Sequence, residues 1–176
     1  MTDSPSPFPI GEFLPNGSTY RTDPPLPPSD PTIGYKLNHL MLRIRDPEAS
    51  LNFYINLMGM RTVFTMDTGP FTIYYLGYPQ TDTDRSDLQA WGEKTCSVLP
   101  HTLGLLELYH IHGSEKQPHG YYSTGNDAPH LGFGQIGFTI PDVKSALERL
   151  KGADQIAFVS DPDGYLVELV PQNIQN

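Results

Sequence analysis

Over residues 37–44 apolar and polar side chains alternate. A strand with this pattern turns Leu40, Leu42 and Ile44 to one side and His39, Met41 and Arg43 to the other. The period then lengthens. Asp46 is suited to cap a helix and Pro47 to its first turn; Leu51, Tyr54, Ile55 and Met58 follow at helical spacing before Gly59, so one amphipathic helix of about three turns is expected. Strands are expected at 61–66 and 71–78 around the turn Asp67-Thr68-Gly69-Pro70. The polar stretch 79–95 reads as a surface excursion, and 102–109 reads as the closing strand. The module is therefore βαβββ.

A second module follows the same plan. A strand is expected at 135–140, with Asp142 as helix cap, and Val143, Ala146, Leu147 and Leu150 fall on one helical face. The closing strand is expected at 165–170. Between that helix and this strand only residues 151–164 remain, enough for one strand at 155–160 and the turn Asp161-Pro162-Asp163-Gly164. One strand and its turn are missing from the second copy. The fold class is α+β, with paired βαβββ modules at 35–112 and 132–172, the second shortened, in one domain over 35–176.

The two modules also match residue by residue. Ile44, Asp46 and Leu51 fall on Ile140, Asp142 and Leu147, a constant 96 positions apart, and Leu105-Leu106-Glu107-Leu108 is echoed by Leu166-Val167-Glu168-Leu169. Polar groups then stand in two pairs, His39 with Gln135 and Glu107 with Glu168. Each glutamate sits within an apolar strand, where a carboxylate costs several kcal/mol unless it is paired, protonated or bound to a metal. One nitrogen or amide ligand plus one carboxylate, given twice, reads as half a metal site used twice.

Composition narrows the remaining possibilities. Nine of the 18 prolines lie within the first 31 residues, so residues 1–34 read as a proline-rich, extended N-terminal arm. No secretory pattern and no apolar run of membrane length occurs, and the single Cys96 cannot form an internal disulfide, so a cytoplasmic protein without a membrane partner is expected. With 11 basic and 20 acidic residues the net charge of -9 argues against nucleic acid as a partner. His101, His110, His112, His119 and His130 read as surface or loop histidines, the second and third on the face opposite Glu107. Nothing in the sequence supplies Cys96 with a base, and Gly132-Phe133-Gly134 enters a strand instead of opening a phosphate-binding helix.

Several segments carry a family resemblance: Leu40 through Tyr54, Leu57-Met58-Gly59-Met60, Leu106-Glu107-Leu108, Gly132 through Gly137, Pro141-Asp142-Val143, and Asp161 through Tyr165 with Glu168. The chain resembles the glyoxalase I (lactoylglutathione lyase) family of the vicinal oxygen chelate superfamily, its fungal members especially, over about residues 35–172. The resemblance implies paired modules cupped around a divalent ion held by His39, Glu107, Gln135 and Glu168. It implies isomerisation of the hemithioacetal of methylglyoxal and glutathione to S-lactoylglutathione. Glu168 would be the principal base, Glu107 would serve the other face of the substrate, and Arg43 would grip a glutathione carboxylate. The ligand inventory is that of zinc-type relatives with its halves exchanged, which puts zinc ahead of nickel. Single-copy relatives further imply a homodimer, with His39 and Glu107 facing Gln135 and Glu168 of the second subunit.

The family's glutathione-binding asparagine and arginine fall on Ile111 and Leu131, and its substrate-covering segment falls in the part missing after Leu150. Two other readings therefore stand beside the first. One is an isomerase of the same fold acting on a different enolisable substrate in secondary metabolism. The other is a catalytically silent ligand-binding module.

Overall fold

The computed structural model describes residues 23–150 and 158–172. The chain forms two compact units, Met1–Tyr35 and Lys36–Asn176. In the first, the described residues form turns without helix or strand, one of them closed by Asp30, whose Oδ1 accepts from the Thr32 N–H at 2.8 Å and its Oγ1 at 2.6 Å.

The second unit holds two sheets. In the first, β1 (His39–Ile44) runs parallel to β4 (Leu105–Ile111), which pairs antiparallel with β3 (Phe71–Gly77), and β3 pairs with β2 (Arg61–Asp67), giving the order β1-β4-β3-β2. The second sheet has the order β5-β7-β6, from β5 (Gln135–Ile140), β7 (Leu166–Pro171) and β6 (Phe158–Ser160). It has three strands among the described residues against four in the first, as the short 151–164 connection requires. The expected strand at 155–160 is described only from Phe158 onward; its first three residues lie outside the described range.

The helix after β1 starts where its capping chemistry puts it. The Asp46 side chain accepts from the Glu48 and Ala49 N–H groups, and Pro47 opens α1 (Pro47–Leu51). The helix then widens into a π-helix over Asn52–Leu57, which differs from the regular three-turn helix expected. Phe53 and Tyr54 are both buried there, and Met60 N–H reaches back to the Tyr54 carbonyl at 2.9 Å across Gly59, whose φ of 82° only glycine adopts cheaply. Asp142 likewise caps α4 (Val143–Arg149) by accepting from the Ser145 N–H.

The 79–95 excursion carries helices that its polar pattern did not predict. It folds as α2 (Asp82–Ser86) and α3 (Leu88–Ser97), followed by a 3-10 turn at Leu99–His101. A capping box of Thr81 and Asp84 starts α2, and the Asp87 side chain caps α3. Trp91, only 6% exposed, anchors α3 against Val63, Tyr75 and Leu105.

One apolar core joins the two modules. Leu42, Ile44, Tyr54, Leu106 and Leu108 of the first pack in the same cluster as Ala146, Val159, Val167 and Leu169 of the second. The Asp161-Pro162-Asp163-Gly164 turn ties this junction with polar contacts. Asp161, 5% exposed, accepts from the Tyr54 hydroxyl at 2.8 Å, and Asp163 accepts from the Arg45 N–H at 3.1 Å and Ser50 Oγ at 3.3 Å. Burial pushes the Asp161 carboxyl up to about 6. His110 is a second correction: it lies opposite Glu107 as expected, but is buried at 7% exposure and pairs with Glu115 at 3.1 Å. His112 meets Thr72 Oγ1 at 2.8 Å.

Candidate metal and active centre

Strand alternation decides which side chains are available. In β1, Leu42 and Ile44 enter the core while His39, Met41 and Arg43 remain exposed; in β4, Leu106 and Leu108 are buried and Glu107 faces the other way. The same division recurs in β7, where Val167 and Leu169 are buried around Glu168. Because the core joins the two modules through these buried rows, each sheet keeps its polar pair off that core.

The register repeats with the sequence. Glu107 pairs with Met41 and Glu168 with Gly137, in each case two residues after the nitrogen-bearing side chain. His39 Nε2 comes to 3.3 Å from Glu107 Oε2, and the Gln135 Nε2 amide donates a hydrogen bond to Glu168 Oε2. Opposite Glu168 the register position is glycine, where an added Cβ would stand 3.7 Å from Glu168 Oε2. The nitrogen or amide group and the carboxylate of each module, His39 with Glu107 and Gln135 with Glu168, are thus in contact, once in each sheet.

These four side chains do not all converge within one chain. Among the described residues no group of three or more His, Cys, Asp or Glu is arranged to hold a metal. A cavity of about 520 Å³ does bring His39 and Gln135 to a common wall, with Leu105, Phe133 and Phe138, but neither glutamate lines it. Each half offers one carboxylate and one imidazole or amide, a nitrogen and oxygen donor set of the kind that suits a borderline divalent ion.

Around Glu107 the setting is apolar and partly aromatic. Its own side chain is 12% exposed, against 38% for His39. Tyr75 lies directly opposite it across β3 and β4, within hydrogen-bonding reach of the carboxylate, and stacks on Phe64 at 4.6 Å between ring centroids. Burial first, and the Glu107 carboxylate second, push the Tyr75 phenol well above its usual range. Arg43 lies on the His39 face and is exposed. Neither Tyr75 nor Asn38, which contacts the His39 ring, was legible in the sequence, because an aromatic within an apolar strand and an amide beside a histidine carry no periodic signal.

Two modules of one plan, each a strand, a helix and an antiparallel run returning beside the first strand, define a repeated α+β protein with a polar pair on each sheet. Residues 36–169 match the Glyoxalase/Bleomycin resistance protein/Dioxygenase superfamily, and the chain belongs to that family. It is 35% identical over 159 residues to a lactoylglutathione lyase of Pseudomonas aeruginosa, covering 80% of this chain and 84% of that protein. It is 34% identical to a Saccharomyces cerevisiae glyoxalase I, covering 81% of this chain but 46% of that longer protein, so the chain spans about half the yeast relative. Among solved structures, a Leishmania major glyoxalase I described as trypanothione-dependent superposes with a TM-score of 0.56 at 22% identity, over 79% of this chain and 88% of that one. A Zea mays glyoxalase I gives 0.53 at 22% identity, over 77% and 44%. These structures share the fold.

Proposed function

We propose that this chain is a glyoxalase I-type lyase that isomerises the hemithioacetal of methylglyoxal and glutathione to S-lactoylglutathione. A divalent ion, zinc ahead of nickel, is held by His39, Glu107, Gln135 and Glu168. The observation that carries the reading is the doubled contact: His39 with Glu107 and Gln135 with Glu168, at equivalent register on two sheets. The names of the Pseudomonas and yeast relatives support the same activity. The working unit of this reading is a homodimer, each site taking one pair from each copy, and the placement of the two pairs on separate sheets supports it. Modules 35–112 and 132–172 behind an arm at 1–34, acting in the cytoplasm, complete the proposal.

A divalent ion held by His39, Glu107, Gln135 and Glu168 would supply Lewis acidity toward substrate oxygen. Glu168 removes the proton from the carbon that bears sulfur and hydroxyl and delivers it to the neighbouring carbonyl carbon, while the hydroxyl proton passes to the other oxygen, so no co-reactant is needed. Gln135 cannot share this task, because an amide takes up no proton near neutral pH; it orients Glu168. Glu107 serves the opposite face of the substrate. Arg43 meets a glutathione carboxylate from the His39 face.

One observation favours a different enolisable substrate for the same proton transfer. Ile111 and Leu131 stand, 41% and 70% exposed, where the family's glutathione contacts are expected to be polar. Substituting Glu168→Gln tests the main reading: thioester formation should fall by about 10²–10⁴-fold with the dimer intact. Unchanged turnover would remove Glu168 from the mechanism and the reading with it.

A further inference from the structure

Asn38 precedes β1, and its side-chain amide is committed at both ends. Its Nδ2 donates to two backbone carbonyls, Leu99 O at 2.7 Å and Thr102 O at 2.5 Å, which belong to the turn that ends the α3 excursion. An amide nitrogen has two protons, and both are used. The orientation of the amide therefore follows from the backbone around it, with no flip left open: Oδ1 must be the atom facing His39. That oxygen lies 2.8 Å from His39 Nδ1.

An amide oxygen only accepts. A bond at this distance needs the proton on His39 Nδ1, since an unprotonated Nδ1 would set two lone pairs against each other. With that proton fixed, the other ring nitrogen, Nε2, faces the Glu107 carboxylate, where its lone pair is matched only once a cation stands between the two acceptors. Nε2 is also the atom that stands 3.3 Å from Glu107 Oε2, on the face that carries the candidate site. Tyr75 bounds the ring on another side, with centroids 5.3 Å apart.

Resting on the metal-site reading above, we propose that Asn38 is a positioning residue that fixes His39 in the Nδ1-protonated form and aims its Nε2 lone pair at the ion shared with Glu107. Ligating histidines elsewhere obtain the same control from a carboxylate or a backbone carbonyl. Here the control passes from the Leu99–Thr102 backbone through one amide, so the helical excursion gains a part in the site although it lines none of it. The second module has no counterpart in this role, because Gln135 has no ring to orient.

The test has two readings on the full chain. In chelator-treated protein, nitrogen-edited NMR reports the His39 ring, assigned by its disappearance in His39→Gln. The inference expects a hydrogen-bonded, slowly exchanging proton on Nδ1 in the wild type and its loss in Asn38→Leu. Zinc affinity, measured by competition with a chromophoric chelator, should fall about tenfold or more in Asn38→Leu, the range found when outer partners of ligating histidines are removed. An unprotonated Nδ1 in the wild type overturns the inference whether or not any variant folds. Equal zinc affinity in the two proteins overturns it as well, leaving Asn38 a structural tie. A wild type that keeps the Nδ1 proton but takes up no zinc overturns the metal-site reading, and the role of Asn38 toward the ion falls with it.

Discussion

Asp161 shows how one residue couples the modules to pH. Its carboxyl is raised by burial to about 6, against some 3.8 for the free group, so the folded state holds a proton that the unfolded chain releases earlier. The sign follows directly: below about pH 4 the group costs nothing, between about 4 and 6 stability falls as pH rises, and above 6 the loss is complete. Its size is on the order of 3 kcal/mol. Asp161→Asn should remove this slope, so that denaturant midpoints at pH 5 and pH 7, fixed at one protein concentration, differ less in the variant than in the wild type. An unaltered difference would place the titration elsewhere. The four candidate ligands were legible at this scale because each module states one nitrogen or amide group and one carboxylate within matching strand motifs. Asn38 was not, since an asparagine beside a histidine gains meaning only when the chain brings Leu99 and Thr102 to it.

Elements were legible where period and caps agree. Asp46 and Asp142 mark helix starts, and the alternation around His39, Glu107 and Glu168 gives the buried face of each strand. The excursion at 79–95 was not read as helical, because it is polar nearly throughout and its single large apolar anchor, Trp91, has partners on β2, β3 and β4 that are distant in sequence. The Thr81 to Asp84 capping box was the available signal. Trp91 also backs the strands that carry Glu107 and Tyr75, since it packs against Leu105 and Tyr75 themselves. Trp91→Ala should therefore cost about 3–5 kcal/mol. The urea midpoint should drop with an unchanged slope; a drop below about 1 kcal/mol would mean that α3 does not anchor there.

At the scale of the molecule, the joined core leaves each sheet with one polar pair, and the proposed dimer has a second copy supplying the other half of each site. This predicts complementation. A His39→Ala chain and a Glu168→Gln chain, each inactive alone, should after co-refolding regain about a quarter of wild-type turnover, since half of the dimers are hybrids and each hybrid keeps one intact site of two. No recovery would mean that both pairs of a site come from one chain. The fold class and the shortened second module were legible because module length is counted along the chain. How the halves meet was not, because the joining core draws one row from each module and alternation alone does not say which rows will pack together. The most direct measurement is metal content of the purified protein with S-lactoylglutathione formation followed before and after zinc or nickel is restored. One ion per chain is expected, with turnover that rises and falls with loading. Protein that binds neither ion and leaves the hemithioacetal unchanged would contradict it.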